Sequence, residues 1–262
     1  MRMPFVHIVR SLLLTSLLLM PSVGVAARTI HVLSVGICDY KYISDLTKSE
    51  NDARDFAALY RTHTGNVTTL LGSQATRENI LSSLRSCFSQ AEEDDIVVFF
   101  FSGHGGKGGL CAYDTKGNGT LLTYAEIQKA VAACKAANKQ MFIDACYAGG
   151  LRDNTKKPRR QSATSPPLSD NEGIMLFLSS RTGETSQENR WADNGFFTQY
   201  LIKGLKGAAD TDGDRIITAR EIFSYVSAKV SGRTRKRQNP VMWGKFNDNM
   251  HIMNWNPKRS KI

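Results

Sequence analysis

The spacing of apolar and polar positions changes several times along this chain, and each change marks an element. Residues 96–101, Ile-Val-Val-Phe-Phe-Phe, form an unbroken apolar run that ends in a Gly-rich turn. Such a run predicts a strand covered on both faces. Residues 29–37, 140–143 and 173–180 read the same way, and 66–71 read as a shorter strand. Between these runs the period becomes helical. Ala53, Phe56, Ala57 and Tyr60 share one face of a helix over 51–62. Ile80, Leu81, Leu84 and Phe88 share one face of a helix over 76–89. Thr123, with Glu126 three residues on, is a capping box that opens a helix expected over 123–137. Helices over 196–205 and 218–230 follow, and residues 110–113 are expected as a small hairpin arm. Strands separated by helical crossovers predict an α/β fold, a mostly parallel sheet with helices on both faces. No repeat and no second core interrupts the pattern from residue 28 to 262.

The first 27 residues stand apart. Arg2 and Arg10 precede an apolar block over 11–20, and Val25-Ala26-Ala27 supplies small residues beyond it. These are the three parts of a secretory signal peptide. A membrane span needs about 20 apolar residues, and Pro21 and Gly24 break this one early. The expectation is an exported chain, secreted or periplasmic, that begins near Arg28 and keeps no stable membrane span.

Losing Arg2 and Arg10 takes the formal charge from +10 to +8. The cations gather at 156–160 and 233–237 rather than along one helix face, and nothing resembles a nucleic-acid module. Residues 152–172 are basic and Pro-rich with few apolar positions, and are expected as a mobile loop. Five cysteines, an odd count with no CxxC pair and no zinc spacing, leave at least one thiol unpaired or paired between chains in an oxidising compartment. Cys38, Cys87 and Cys134 lie in apolar segments and read as small buried residues; the pairing of these and of Cys111 stays open.

Only Cys146 occupies a strand tip, in Asp144-Ala145-Cys146-Tyr147-Ala148-Gly149-Gly150. His104 occupies the other such tip, in Ser102-Gly103-His104-Gly105-Gly106. Chemistry collects at the carboxyl ends of parallel strands. An imidazole beside a thiol lowers its pKa and can later protonate a leaving amine. Glycines at the tips let main-chain N–H groups approach an oxyanion. Either residue alone would read as a strand cap or a core filler; two on adjacent tips read as a nucleophile and its base.

These motifs resemble the caspase and metacaspase cysteine peptidases, the bacterial caspase-like branch in particular. The resemblance runs through Val35-Gly36-Ile37-Cys38-Asp39-Tyr40, Asn51-Asp52-Ala53 and the two tips. It continues through Gly195-Phe196-Phe197-Thr198, residues 209–214 and Gln238-Asn239-Pro240. It implies a three-layer caspase-like sandwich with His104 as base and Cys146 as nucleophile. It also implies an oxyanion hole from the main chain of Gly105 and Cys146. Metacaspases cut after Arg or Lys, and the positions matching their acids are Asp52 and Asp144, with Ser102 beside them. A carboxylate pair can hold a guanidinium by charge-assisted bonds. The substrates implied are peptides or proteins with basic residues. A linker cut during maturation in caspases falls at 152–160 here, which makes Arg160-Gln161 a candidate self-cleavage bond. The family's usual His-Ser-Gly after the Cys is replaced by Tyr147-Ala148-Gly149.

Two rivals remain: a catalytically silent caspase-like binding module, and another Cys–His acyl-transfer enzyme. No cofactor is required by this chemistry. Calcium is one candidate ligand, because Asp210, Asp212, Asp214, Thr218 and Glu221 have the spacing of a calcium loop. Arg215 stands where such a loop has Gly, and an Asp-rich turn capping the last helix is the alternative.

Overall fold

The computed structural model describes residues 28–145, 173–181 and 193–255. The predicted signal segment, Cys146, the loop over 152–172 and Arg160 lie outside the described residues. Six strands make the main sheet: β1 (Ile30–Gly36), β2 (Val67–Leu71), β3 (Ile96–Gly103), β7 (Asn138–Ala145), β8 (Ile174–Leu178) and β10 (Val241–Lys245). Their order is β10-β8-β7-β3-β1-β2. The first five run parallel, and only β10 is antiparallel, paired to β8. Three two-residue strands, β4 (Gly105–Gly106), β5 (Gly109–Leu110) and β6 (Leu122–Thr123), form a small antiparallel arm just beyond β3. A third sheet pairs β9 (Ile216–Thr218) with β11 (His251–Asn254).

Five α-helices are found among the described residues: α1 (Ser49–Arg61), α2 (Arg77–Phe88), α3 (Tyr124–Ala132), α4 (Phe196–Lys203) and α5 (Ala219–Arg233). They divide between the faces of the sheet. Val97, Phe99 and Phe101 point to one core with Ile80, Leu84, Ile127 and Val131 of α2 and α3. Ile96, Val98 and Phe100 point to the other with Phe56, Phe197, Leu201, Ile222 and Val226 of α1, α4 and α5. Two-sided burial is the reason β3 is apolar at every position from Ile96 to Phe101. Aromatic rings tie the second core together: Phe56 stacks on Phe100 with centroids 4.3 Å apart, and Phe177 meets Phe197 edge-on at 5.0 Å. Among the described residues no helix is long and apolar enough to cross a membrane.

The elements depart from the sequence pattern in identifiable places. The helix expected to reach 137 stops at Ala132, because the N–H of Ala137 bonds the carbonyl of Glu93 as the chain swings into β7. The arm expected at 110–113 lies instead at 105–110, with 122–123 as its third strand. The helix expected over 196–205 gives way after Lys203 to a wider turn over Gly204–Ala208, released by Gly207 at φ 107°. Cys134 and Cys111 are buried, whereas Cys38 and Cys87 are half-buried, and all four thiols are free.

Candidate active site

The parallel strands deliver their carboxyl ends to one edge. There Ser102 pairs with Asp144 and Gly103 with Ala145, in register across β3 and β7. His104 follows Gly103 directly. Cys146 follows Ala145 and lies outside the described residues.

His104 is held by the loop between β1 and α1. The carbonyl of Ser44 lies 2.9 Å from Nε2 of His104. A carbonyl can only accept, so Nε2 carries the proton and Nδ1 is left as the basic nitrogen of the neutral ring. The main-chain N–H of His104 donates to the Tyr40 hydroxyl at 2.7 Å, and the two rings lie 5.0 Å apart. Gly103 is required for this approach, since a Cβ there would stand 2.6 Å from the Tyr40 oxygen. The loop itself is pinned: the N–H of Tyr40 donates to Asp45 and that of Leu46 to the carbonyl of Cys38. Gly105 opens the small arm opposite Leu110.

Asp52 enters from a different element. It sits in the first turn of α1. Gly36 lets that turn press onto the end of β1, because a Cβ there would be 2.4 Å from the carbonyl oxygen of Ser49. Asp52 is 2% exposed and Asp144 6%. The Ser102 hydroxyl donates to Asp52 Oδ2 at 2.8 Å, and the N–H of Gly195 donates to Oδ1 at 3.0 Å. The Thr198 hydroxyl donates to Asp144 Oδ2 at 2.9 Å. A Cβ on Gly195 would lie 3.2 Å from Asp144 Oδ2 and 3.5 Å from Asp52 Oδ2, so both carboxylates converge on this residue. Burial first, and then the charge of Asp144, push the Asp52 carboxyl up to about 8. Hydrogen bonds from Ser102, Gly195 and Asn194 oppose that rise.

The structure therefore brings Asp52, Ser102 and Asp144 together beside the His104 strand end. Tyr40, Ser44, Gly195 and Thr198, which hold these groups, were not singled out in the sequence for such roles. Three of the four lie inside segments that carried the family resemblance, Val35 to Tyr40 and Gly195 to Thr198, and that was the available signal.

A separate cluster lies in the turn before β9. Asp210, Asp212 and Asp214 each offer a carboxylate oxygen, all within 4.8 Å of one another. Oxygen donors of this kind fit a hard cation such as calcium. Glu221 is engaged elsewhere: Oε1 accepts from the N–H and hydroxyl of Thr211, and Oε2 from those of Thr218, the cap of α5. Arg215 takes a φ of 68°, a left-handed conformation that favours glycine. Asp210 also accepts from the Trp255 ring N–H at 2.7 Å.

Comparison with known proteins accords with this architecture. The crystal structure of protein GSU0716 from Geobacter sulfurreducens superposes with a TM-score of 0.62 at 18% identity, covering 87% of this chain and 100% of that one. Caspase-1 from Spodoptera frugiperda superposes with a TM-score of 0.62 at 16% identity, covering 87% of this chain and 90% of that one. The fold is thus the α/β caspase fold. None of the curated proteins matches the chain in sequence. The sequence pattern of the caspase domain matches residues 30–251, and the chain belongs to the caspase domain family.

Proposed function

We propose that this protein is an exported cysteine endopeptidase that hydrolyses peptide bonds after Arg or Lys. One observation carries the reading. The register Ser102–Asp144 and Gly103–Ala145 leaves His104 and Cys146 as the next residues on adjacent strand ends, with the carboxylates of Asp52 and Asp144 a short step behind.

In this reading Nδ1 of His104 takes the Cys146 thiol proton, and the thiolate attacks the scissile carbonyl. The oxyanion is met by the main-chain N–H groups of Gly105 and Cys146. The imidazolium gives its proton to the leaving amine, and water then hydrolyses the thioester with His104 as base. The Ser44 carbonyl stabilises the imidazolium through Nε2 and keeps the ring from turning. The substrate's basic side chain is held by Asp52 and Asp144, whose positions are set by Ser102, Gly195 and Thr198. Side chains and water carry every step of this reaction; calcium at Asp210, Asp212 and Asp214 is proposed as a structural ion. Export is proposed from the three-part N-terminus, and self-cleavage at Arg160-Gln161 from the basic loop that follows Cys146.

A fluorogenic peptide panel with Arg, Lys or Asp at the cleaved position tests the function. Arg and Lys peptides should be turned over and the Asp peptide should not, with all activity lost in Cys146→Ala. Asp52→Asn should lower kcat/KM for the Arg peptide roughly 100-fold, as expected for a lost charge-assisted hydrogen bond. Turnover of none of the peptides would favour the silent binding module.

A further inference from the structure

We propose that the outer face of α4 and α5, with the basic turn that follows α5, docks this protein on an anionic lipid bilayer.

The face is rich in cations and empty of acids. No Asp or Glu occurs at 194–209 or at 222–247. Lys203 on α4 and Lys229 and Arg233 on α5 are exposed, and so are Arg235, Lys236 and Arg237 just beyond. None of these meets a carboxylate among the described residues. Tyrosines lie between them: the Lys203 ammonium stands over the Tyr200 ring at 5.6 Å, and that of Lys229 over the Tyr225 ring at 5.7 Å. Tyr225, Lys229 and Arg233 follow one another at four-residue spacing and share one side of α5. The helices touch at Gly204, where a Cβ would stand 2.5 Å from Ile222 Cδ1 and 3.1 Å from Tyr225 Cδ1. One surface therefore runs from Lys203 across to Arg233.

The turn beyond α5 extends that surface in a costly conformation. Arg235 has a φ of 51° and Lys236 a φ of 62°, both in the left-handed region that favours glycine. Such strain persists only where the surrounding structure imposes it, and it gathers at functional positions. Here buried Thr234 imposes it: its hydroxyl donates to the Val230 carbonyl at 2.8 Å and accepts from the Gln238 N–H at 3.1 Å. The Asn239 amide donates to the Lys236 carbonyl at 2.8 Å, and the Gln238 amide to the Ser179 carbonyl at 3.1 Å. Three consecutive cations are thus fixed outward, side by side, against their mutual repulsion.

The shape and chemistry of the face select a planar anionic partner. Contact at Gly204 closes the space between the helices, so the face is broad and offers no groove between them for a single extended chain. Tyrosine, with an apolar ring and a wet hydroxyl, suits the headgroup layer. Lysine stems lie along apolar surface while the ammonium stays among headgroups. No large apolar side chain of this face is exposed; among the described residues only Tyr42, on another part of the molecule, is. Docking is therefore electrostatic and reversible, with nothing inserted. Each cation near an anionic leaflet multiplies affinity about fivefold, and salt screens the attraction. The turn also stands beside the carboxyl edge of the sheet, because Ser179, which accepts from Gln238, donates its hydroxyl to the Ala145 carbonyl at 3.4 Å. A docked molecule holds that edge close to the bilayer.

Vesicle sedimentation tests the docking and needs no catalytic step. Full-length wild type and variants are compared, so that residues 1–27 contribute equally to each. Vesicles of phosphatidylcholine mixed with phosphatidylglycerol should bind the wild type more tightly than phosphatidylcholine alone, and molar salt should release it. The triple variant Lys203→Ala, Lys229→Ala, Arg233→Ala should bind the mixed vesicles about 100-fold more weakly. The double variant Arg235→Gly, Lys236→Gly should bind about 25-fold more weakly. Glycine adopts the left-handed backbone freely, so this double variant should melt no lower than wild type and serves whether or not the triple variant folds. Wild-type affinity of the folded variants for the mixed vesicles overturns the proposal. Displacement of the wild type from vesicles by an equal charge of soluble polyglutamate overturns the bilayer as the occupant and assigns the face to an acidic protein; retention on the vesicles supports it.

Discussion

The acidic pair should make this protein less stable as pH rises, and one substitution should remove the effect. Asp52→Asn keeps the shape of the side chain and takes away its ionisation. In the unfolded chain an Asp titrates near 3.9, whereas burial and the charge of Asp144 raise Asp52 to about 8 in the folded protein. Between those values the folded state holds a proton that the unfolded state has released. The number of protons bound is therefore larger in the native state, and the stability falls with pH by at most about 1.4 kcal/mol per unit. Below the lower value both states are protonated and nothing is lost; above about 8 the loss is complete.

From pH 5.5 to 8.5 the pair-limited loss should be about 2 kcal/mol once water entry and relaxation are allowed for. For a domain of this size that corresponds to roughly 4–8 °C in Tm. Scanning calorimetry on wild type and Asp52→Asn at pH 5.5, 7.0 and 8.5 gives the difference directly, because histidines and other groups common to both cancel. The variant should gain on wild type steadily as pH rises. Parallel Tm curves for the two proteins would refute the claim that a buried carboxylate keeps its proton here.

Tyr40→Phe leaves the His104 N–H without its acceptor and should lower kcat about tenfold with KM nearly unchanged, since an unmet buried donor costs about 1–3 kcal/mol; a change confined to KM would deny Tyr40 a positioning role. Calcium titrated into the folded protein should give a one-site calorimetric isotherm that Asp212→Asn abolishes, and no heat in wild type would leave the Asp-rich turn as a helix cap alone. Purified wild type should carry a break after Arg160 that Cys146→Ala lacks; identical fragment patterns would rule out self-cleavage.

How much was legible in the chain follows from how locally each feature is determined. The run Ile96 to Phe101 announced a central strand because both of its faces are buried, which demands apolar residues at every position. The capping box at Thr123 and Glu126 announced the start of α3, since its partners are three residues apart. The end of α3 was illegible: Ala and Lys favour helix, and the competing bond comes from Glu93, outside the local window. Strands β9, β10 and β11 were illegible for the same reason, being short and stabilised only by partners distant in the chain.

The candidate site divides along the same line. By itself the sequence determined which chemistry the chain can carry: an imidazole and a thiol on Gly-rich tips after apolar runs, with aspartates at Asp52 and Asp144, all visible as residue types in context. Only the tertiary structure decided that Asp52 and Asp144 share Gly195, that Ser44 selects the His104 tautomer, and that Thr198 and Tyr40 are holders rather than bystanders. A hydroxyl, an amide or a carbonyl has no preferred role until a partner 50 to 143 residues away is brought within about 3 Å. That meeting depends on long-range packing, which local residue patterns do not encode.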